Sequence, residues 1–182
     1  MSQELLNLSL SALSTKIRSR EVTSVEATEA CLDSIDAHNS SVNAFLRVDH
    51  EGALNAAKAS DAEIGRGQWR GPLHGIPLAH KDMFYRDGEV STGGSRILSN
   101  ISADRTATVL VKLSEAGSVT LGWLNMAEFA AGPTGQNDHY GACRNPWDLN
   151  RISGGSSSGS GASVSARFVY GSLGSDTGGS IR

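Results

Sequence analysis

Cysteine is scarce in this sequence of 182 residues, which contains only Cys31 and Cys143. The two cysteines lie far apart, outside any C-x-x-C or H-x-x-x-H spacing. This placement argues against a disulfide framework and against a zinc site built on cysteine. We therefore expect two buried free thiols, with no metal and no cofactor.

Long apolar runs and an excess of charge of one sign are also missing. No run approaches the roughly eighteen apolar residues of a membrane span, and Met1 to Glu4 lack the basic start of a signal peptide. The formal net charge is −3, without a basic patch, which excludes a general nucleic-acid surface. These features predict a globular protein that binds no membrane, with the cytoplasm as its default location.

The histidines are placed wrongly for a catalytic triad of the α/β-hydrolase type. Residues 155–159 match the nucleophile pattern G-x-S-x-G, centred on Ser157, but all five histidines precede them. The α/β-hydrolase order requires a histidine after the nucleophile, so this interpretation fails. A dinucleotide-binding loop over residues 159–164 fails because Val164 occupies the final glycine position. A P-loop fails because no Lys-Ser or Lys-Thr follows the glycines.

Serine and glycine, by contrast, dominate the end of the chain. Residues 151–182 contain ten serines and eight glycines, but apolar residues interrupt them, unlike in a flexible linker. Within Asp176 to Ser180, two consecutive glycines let backbone N–H groups converge on one point. Such donors form the oxyanion hole of acyl-transfer enzymes. Ser180 directly follows the glycines and is the predicted nucleophile.

The base that activates this serine is predicted to be Lys81. It lies in an apolar segment, residues 75–84, that is typical of a buried strand. Burial lowers the pKa of a lysine, and a neutral amine can then accept a proton. Asp82 projects to the opposite side of an extended strand, so no direct pair with Lys81 is assumed. His74 and His80 lack metal-ligand spacing, and we expect structural or pocket-lining roles for them.

These segments together resemble the amidase signature family of Ser–cis-Ser–Lys amide hydrolases. The resemblance rests on residues 75–82, 154–159 and 176–182, which occur in the family's order and at its spacing. It implies Ser180 as the nucleophile, Ser156 as a bridging serine with a cis peptide bond, and Lys81 as the ultimate base.

The same resemblance implies how the site is completed. The oxyanion hole would be formed by backbone N–H groups of Thr177, Gly178, Gly179 and Ser180. Hydrogen-bonding support would come from Ser157, Asp176 and Arg182. No metal takes part.

The resemblance implies a hydrolase of linear amide C–N bonds that converts a small carboxylic amide to a carboxylate and ammonia or an amine. Lys81-Asp82-Met83 favours a stand-alone amidase. The alternative within the family is the A subunit of a tRNA-dependent amidotransferase, whose usual sequence here is Lys-Asp-Asn. That alternative implies partner subunits, whereas a stand-alone amidase is compatible with a homodimer. A third hypothesis is a non-catalytic fragment or interaction module.

The implied fold is α/β, with a mixed β-sheet core and helices packed on both of its faces. Family catalytic domains are longer, and this chain stops two residues after the predicted nucleophile. We therefore expect residues 1–182 to be the N-terminal portion of a single domain. Residues 1–70 would be mainly helical, and residues 71–182 would begin the catalytic core.

Local patterns predict the individual elements. Helices are expected over residues 8–18, 24–38, 51–66, 106–116 and 157–167, and strands over 42–48, 75–84, 118–122 and 168–173. Thr23 and Glu26 form a capping box, and Asp104 or Thr106 is expected to cap the fourth helix. The strand–helix–strand order predicts parallel pairing.

Two aromatic residues have competing interpretations. Asn125 to Phe129 resembles the family's N-x-x-E-F element near the active site, but Phe129 is equally compatible with packing in the core. Trp147 is assigned to core or loop packing in preference to stacking on a ligand.

Overall fold

The structure is a computed structural model that describes residues 2–182. Its helices are α1 Ser2–Leu6, α2 Leu10–Ser19, α3 Ser24–Val42, α4 His50–Gly65, α5 Thr108–Glu115 and α6 Ser158–Ser165. Its strands are β1 Phe45–Val48, β2 Pro77–Lys81, β3 Val119–Leu124, β4 Arg144–Asn145, β5 Asp148–Ile152 and β6 Ser172–Leu173. The predicted helices and strands are therefore all present, with shifted ends.

Four strands form a mixed sheet in the order β1-β3-β2-β6. Strand β2 is parallel to β3 and to β6, whereas β1 is antiparallel to β3. The parallel pairing predicted for the strand–helix–strand unit β2-α5-β3 is confirmed. Strands β4 and β5 form a separate antiparallel hairpin.

Helix α3 begins at the predicted capping box. The Thr23 side chain accepts a hydrogen bond from the Glu26 N–H, and the Glu26 carboxylate accepts one from the Thr23 N–H at 2.8 Å. The helix runs to Val42, beyond the predicted end, and Asn43 closes it in the left-handed conformation. Helices α3, α4 and α6 contact the sheet.

The main hydrophobic core lies between these helices and the sheet. Residues of α3, including Leu32 and Ile35, pack with Leu121 and Leu124 of β3 and with Phe168. Both cysteines are buried free thiols, as predicted. Burial raises the pKa of the Cys31 thiol, and it raises that of Cys143 to about 11. Both therefore behave as small apolar residues of the interior.

Two local predictions are wrong. Helix α5 has Ala107 at its N-cap, without a side-chain hydrogen bond. Neither Asp104 nor Thr106 caps it, because Thr106 Oγ1 instead accepts from the Asp87 N–H at 3.0 Å. The last strand spans only Ser172–Leu173 and not residues 168–173. A turn with Arg167 at φ 59° precedes Phe168, and the Phe168 side chain is buried in the core.

None of the helices within residues 2–182 is both long enough and apolar enough to span a membrane.

The start of α6 packs closely against the backbone of Ala44, which precedes β1, and of Asn125, which follows β3. The Gly159 N–H donates to the Asn125 carbonyl at 2.9 Å. A Cβ added at Gly159 would lie 2.6 Å from the Asn125 nitrogen and would also overlap the Ala44 carbonyl oxygen. Gly161, two residues on in the same helix, has no atom within 4 Å of such a Cβ. Position 159 therefore requires glycine, and position 161 does not.

We expect Gly159→Ala to lower the free energy of unfolding of the whole protein by about 1–3 kcal/mol, the usual cost of overpacking against backbone. The matched variant Gly161→Ala should leave stability unchanged or raise it by about 0.5–1 kcal/mol, because alanine is the better helix former. Urea unfolding monitored by circular dichroism measures both. Equal effects of the two substitutions would contradict the close packing described for Gly159.

Candidate active site

Strand β2 carries Lys81 into the interior. All five residues of the strand are buried, and the Lys81 side chain is fully enclosed. Its Nζ lies 2.7 Å from Ser156 Oγ, 3.1 Å from Ser157 Oγ and 2.8 Å from Ser175 Oγ. The lysine is therefore surrounded by hydroxyl groups.

Ser156 and Ser157 lie at the entry to α6. The peptide bond between Gly155 and Ser156 is cis, the geometry that the resemblance implies. The Ser156 carbonyl accepts from the Ala127 N–H at 3.2 Å, and the Ser157 N–H donates to the Ser180 carbonyl at 3.2 Å. Backbone hydrogen bonds thus fix both serines against the neighbouring segments.

Ser180 completes a chain of three side chains. Its Oγ lies 3.1 Å from Ser156 Oγ, which in turn lies 2.7 Å from Lys81 Nζ. The three residues predicted as nucleophile, bridge and base therefore meet at hydrogen-bonding distances. In the structure the Ser156 hydroxyl donates to Ser180 Oγ, so the hydroxyl protons of both serines must reorient before this chain passes a proton from Ser180 to Lys81 through Ser156.

Asp176 organises the turn that holds Ser180. Its carboxylate accepts from the N–H groups of Gly179, Ile181 and Arg182 at 2.8, 3.1 and 3.2 Å. The Arg182 guanidinium makes two further bonds to it, at 2.9 and 2.8 Å. Together these hydrogen bonds hold the pKa of Asp176 well below its usual range, and the Arg182 side chain makes the largest contribution. The hydrogen bonds of Asp176 and Arg182 therefore lie within the turn, and neither side chain is hydrogen-bonded to Lys81, Ser156 or Ser180 in the described part of the chain.

The predicted oxyanion donors divide into two groups. Within the described part of the chain, the N–H groups of Thr177, Gly178 and Ser180 have no protein acceptor. The Gly179 N–H differs from the prediction because it donates to Asp176 Oδ1 inside the turn. The geometry favours Thr177, Gly178 and Ser180 as the donors open to a ligand.

The surroundings of Lys81 favour its neutral form. Burial, which removes water from the ammonium group, lowers the lysine pKa to about 8, and the Asp176 carboxylate opposes this only in part. Asp82 does not pair with Lys81. Its Oδ2 accepts from the Thr92 N–H at 3.0 Å and from the Thr92 hydroxyl, so it belongs to the adjoining loop.

His74 and His80 both lie outside the serine–lysine cluster. His74 stacks on Trp69 with the ring centroids 5.5 Å apart. His80 lines a separate cavity beside Thr120, and burial lowers its pKa to about 4. No group of three or more potential ligands from His, Cys, Asp or Glu is poised for a metal ion within residues 2–182.

The two aromatic side chains with competing interpretations are both exposed. Phe129 has a left-handed backbone, with φ 50°, and 54% of its surface is accessible. Core packing is therefore wrong for Phe129, whereas its segment does lie beside the site through the Ala127–Ser156 hydrogen bond. Trp147 is 86% exposed, so its assignment to core or loop packing is also wrong.

Sequence reasoning missed Ser175, which contacts Lys81 as closely as Ser156 does. Its one signal in the sequence is its place directly before Asp176, in the turn that holds Ser180. Among ten serines in the last 32 residues, a hydroxyl at that position is not distinctive.

Comparison with known proteins shows the family and the fold. The family model described as Amidase matches residues 26–182. Among curated relatives, the A subunit of the glutamyl-tRNA(Gln) amidotransferase of Azoarcus sp. (strain BH72) is 50% identical over 178 residues. These residues are 98% of this chain and 36% of that protein. The chain thus spans little more than a third of the length of the curated relatives it matches.

Two solved structures illustrate the likeness in fold. One belongs to a vestigial protein complex described as revealing the evolutionary origins of an s-triazine catabolic enzyme. It has a TM-score of 0.93 and 41% identity, over 96% of this chain and 38% of that chain. The other is the peptide amidase of Stenotrophomonas maltophilia, with a TM-score of 0.84 and 31% identity, over 90% of this chain and 35% of that chain. These likenesses confirm the predicted mixed α/β fold.

We expect Asp176→Asn to loosen the turn around Ser180, because an amide replaces an acceptor of charge-assisted hydrogen bonds. Amide hydrogen exchange of Gly179, Ile181 and Arg182 should accelerate about tenfold or more, as expected when bonds to a charged acceptor weaken by about 1.5–3 kcal/mol. Mass spectrometry of the whole protein measures the exchange.

Asp148→Asn is the matched control, since Asp148 also pairs with an arginine and accepts a backbone N–H, but in the β4–β5 hairpin. Unchanged exchange in the turn of Asp176→Asn, or an equal acceleration there in Asp148→Asn, would contradict the role given to Asp176.

Proposed function

The chain belongs to the amidase family, and we propose that the whole protein hydrolyses a carboxylic amide through an acyl-enzyme on Ser180. The observation that carries this proposal is the continuous contact from Ser180 Oγ to Ser156 Oγ at 3.1 Å and on to the buried Lys81 Nζ at 2.7 Å. A buried lysine with a depressed pKa is a suitable base for a serine nucleophile. No metal or cofactor enters the proposed reaction.

Acylation follows from this contact. As Ser180 Oγ bonds to the amide carbon, its proton passes to Ser156 Oγ, and the Ser156 proton passes to Lys81 Nζ. Charge develops on the carbonyl oxygen, where the N–H groups of Thr177, Gly178 and Ser180 would stabilise it. Collapse of the tetrahedral intermediate breaks the C–N bond, and the proton held by Lys81 returns through Ser156 to the leaving nitrogen.

Deacylation uses the same groups in the same order. Water attacks the ester of Ser180 and gives up a proton through the Ser156–Lys81 relay. The Ser180–carbonyl bond then breaks, and Ser180 recovers its proton. The products are a carboxylate and ammonia or an amine.

A second candidate is the role of an amidotransferase A subunit. It is favoured by the curated relatives, which carry that name and are 46% to 50% identical to this chain. Identity over nearly the whole chain outweighs the local Lys81-Asp82-Met83 sequence that favoured a stand-alone amidase. In this role the amide would be glutamine, and the ammonia would pass to a partner subunit. Both candidates use the same serine chemistry.

We expect Ser180→Ala to reduce amide turnover by the whole protein at least about 10³-fold, because the nucleophile is lost. Lys81→Ala should reduce it about 10²–10⁴-fold, the usual contribution of a general base. Release of ammonia from a panel of primary amides, glutamine included, measures turnover. Turnover that survives in Ser180→Ala would refute the proposed acyl-enzyme.

The pH dependence should follow Lys81. The relay needs the neutral amine, so kcat/KM should be low below the lysine pKa and rise as the pH increases through about 8. Lys81→Ala should lose this rise along with most of its rate. An acid limb centred near the ordinary lysine value of about 10.4 would contradict a buried, desolvated base.

The two candidates differ in what they require of a partner. Protein purified alone that hydrolyses simple amides at its full rate would support a stand-alone amidase. Glutamine hydrolysis that appears only when candidate partner subunits are added would support the A-subunit role. Ser180→Ala serves as the control in both assays, because it should abolish either activity.

A further inference from the structure

Three hydroxyl groups surround the Lys81 amine, although the relay uses only one of them. The three lie 2.7 Å, 3.1 Å and 2.8 Å from Nζ and belong to Ser156, Ser157 and Ser175. A neutral amine has two N–H donors and one lone pair. The three contacts can therefore be satisfied only if two hydroxyls accept and one donates.

Ser157 can only accept from the lysine. Its hydroxyl proton is directed to the Ser175 carbonyl at 2.9 Å. Its oxygen also receives the Ser175 N–H at 3.1 Å. One of the two lysine N–H groups is therefore assigned to Ser157 Oγ.

Two arrangements are left for the other N–H and the lone pair. In the first, Ser175 accepts the N–H and Ser156 donates to the lone pair, which lets Ser156 receive the Ser180 proton. In the second, Ser175 donates to the lone pair and Ser156 accepts an N–H, so that Ser156 donates to Ser180, which is the direction of this contact in the structure. Only the first arrangement carries a proton from Ser180 to Lys81.

We propose that Ser175 is a positioning residue that accepts the second lysine N–H and so directs the lone pair of Lys81 at Ser156. This inference rests on the proposed function, because it concerns the same relay. In the described part of the chain the hydrogen bonds of Ser175 go to Lys81 and Ser157 and not to Ser180, so it would act through Lys81. Ser157 is its partner, since each holds one N–H and the backbone of Ser175 holds the Ser157 hydroxyl.

The charges near Lys81 determine how removal of this hydroxyl changes the pH profile. Asp176, in the turn, favours the ammonium form, and Arg182 is paired with Asp176. His80 on β2 faces Thr120, and Asp82, which directly follows the strand, binds Thr92. The strand neighbour Leu124 carries no charge. The Ser175 oxygen is a hydrogen-bond acceptor that stabilises the ammonium form more than the neutral amine. Its removal should therefore lower the lysine pKa further.

The test compares Ser175→Thr with Ser175→Val in the whole protein. The two side chains have nearly the same shape, but only threonine retains the hydroxyl. The second-order rate of Ser180 labelling by a fluorophosphonate probe is measured from pH 6 to pH 10, with the labelled peptide identified by mass spectrometry. Thermal unfolding verifies that each variant is folded, and Ser175→Ala is measured in parallel as a second hydroxyl deletion.

We expect Ser175→Thr to keep the plateau rate within about threefold and the midpoint unchanged. The plateau labelling rates of Ser175→Val and Ser175→Ala should be roughly 10–100-fold lower than that of the wild type. This factor is part of the rate enhancement that a general base usually contributes. Their midpoints should move down by about 0.5–1 pH unit, as expected when the charged form loses a hydrogen bond. A merely structural role would lower the rate without moving the midpoint.

Ser175→Val and Ser175→Ala with wild-type rates, or with faster ones, would overturn the inference, because a serine that donates to the lone pair hinders the relay. A lowered rate with an unmoved midpoint would overturn it as well. If valine prevents folding, the alanine variant is judged by the same criteria. Wild-type protein that is not labelled at Ser180 would instead refute the proposed function, so the two failures are distinct.

Discussion

The structure depends on the burial of one lysine. An ammonium group taken out of water is costly, and no carboxylate pairs directly with Lys81 to offset the loss. Three hydroxyl groups at 2.7 to 3.1 Å supply its hydrogen bonds instead. The cost is lowest when the amine is neutral, which is also the form that can accept a proton. The same burial that constrains the fold therefore favours the form of the amine that the proposed chemistry needs.

Three distant parts of the sequence must meet to satisfy this lysine. Strand β2 brings the amine, the entry to α6 brings Ser156 and Ser157, and the turn after β6 brings Ser175 and Ser180. Backbone bonds between these parts, such as that from Ser157 N–H to the Ser180 carbonyl, hold the hydroxyls in place independently of the relay. Asp176 then gathers the N–H groups of its own turn. Rigid supports of this kind keep a catalytic group within tenths of an ångström of its working position.

The sequence predicts well those features that a residue type alone can carry. A lysine in an apolar strand, a double glycine before a serine and a capping box at Thr23 each have few alternatives, and each stands where it was predicted. Contacts that depend on three-dimensional packing were not predictable. Ser175 is one hydroxyl among many, and its value comes from the Lys81 amine that lies 2.8 Å away in the fold. Phe129 has a left-handed backbone and an exposed side chain, and its apolar character reveals neither.

Burial lowers the pKa of Lys81 to about 8, so that a reactive fraction of the amine is neutral near physiological pH and, as we propose, holds its lone pair for Ser156. A direct test is an NMR titration of the whole protein labelled with ¹³C at the lysine Cε, with the Lys81 signal assigned by its absence in Lys81→Met. We predict a pKa of about 8 for this amine. A Lys81 signal that titrates near the unperturbed value of about 10.4 would contradict the account.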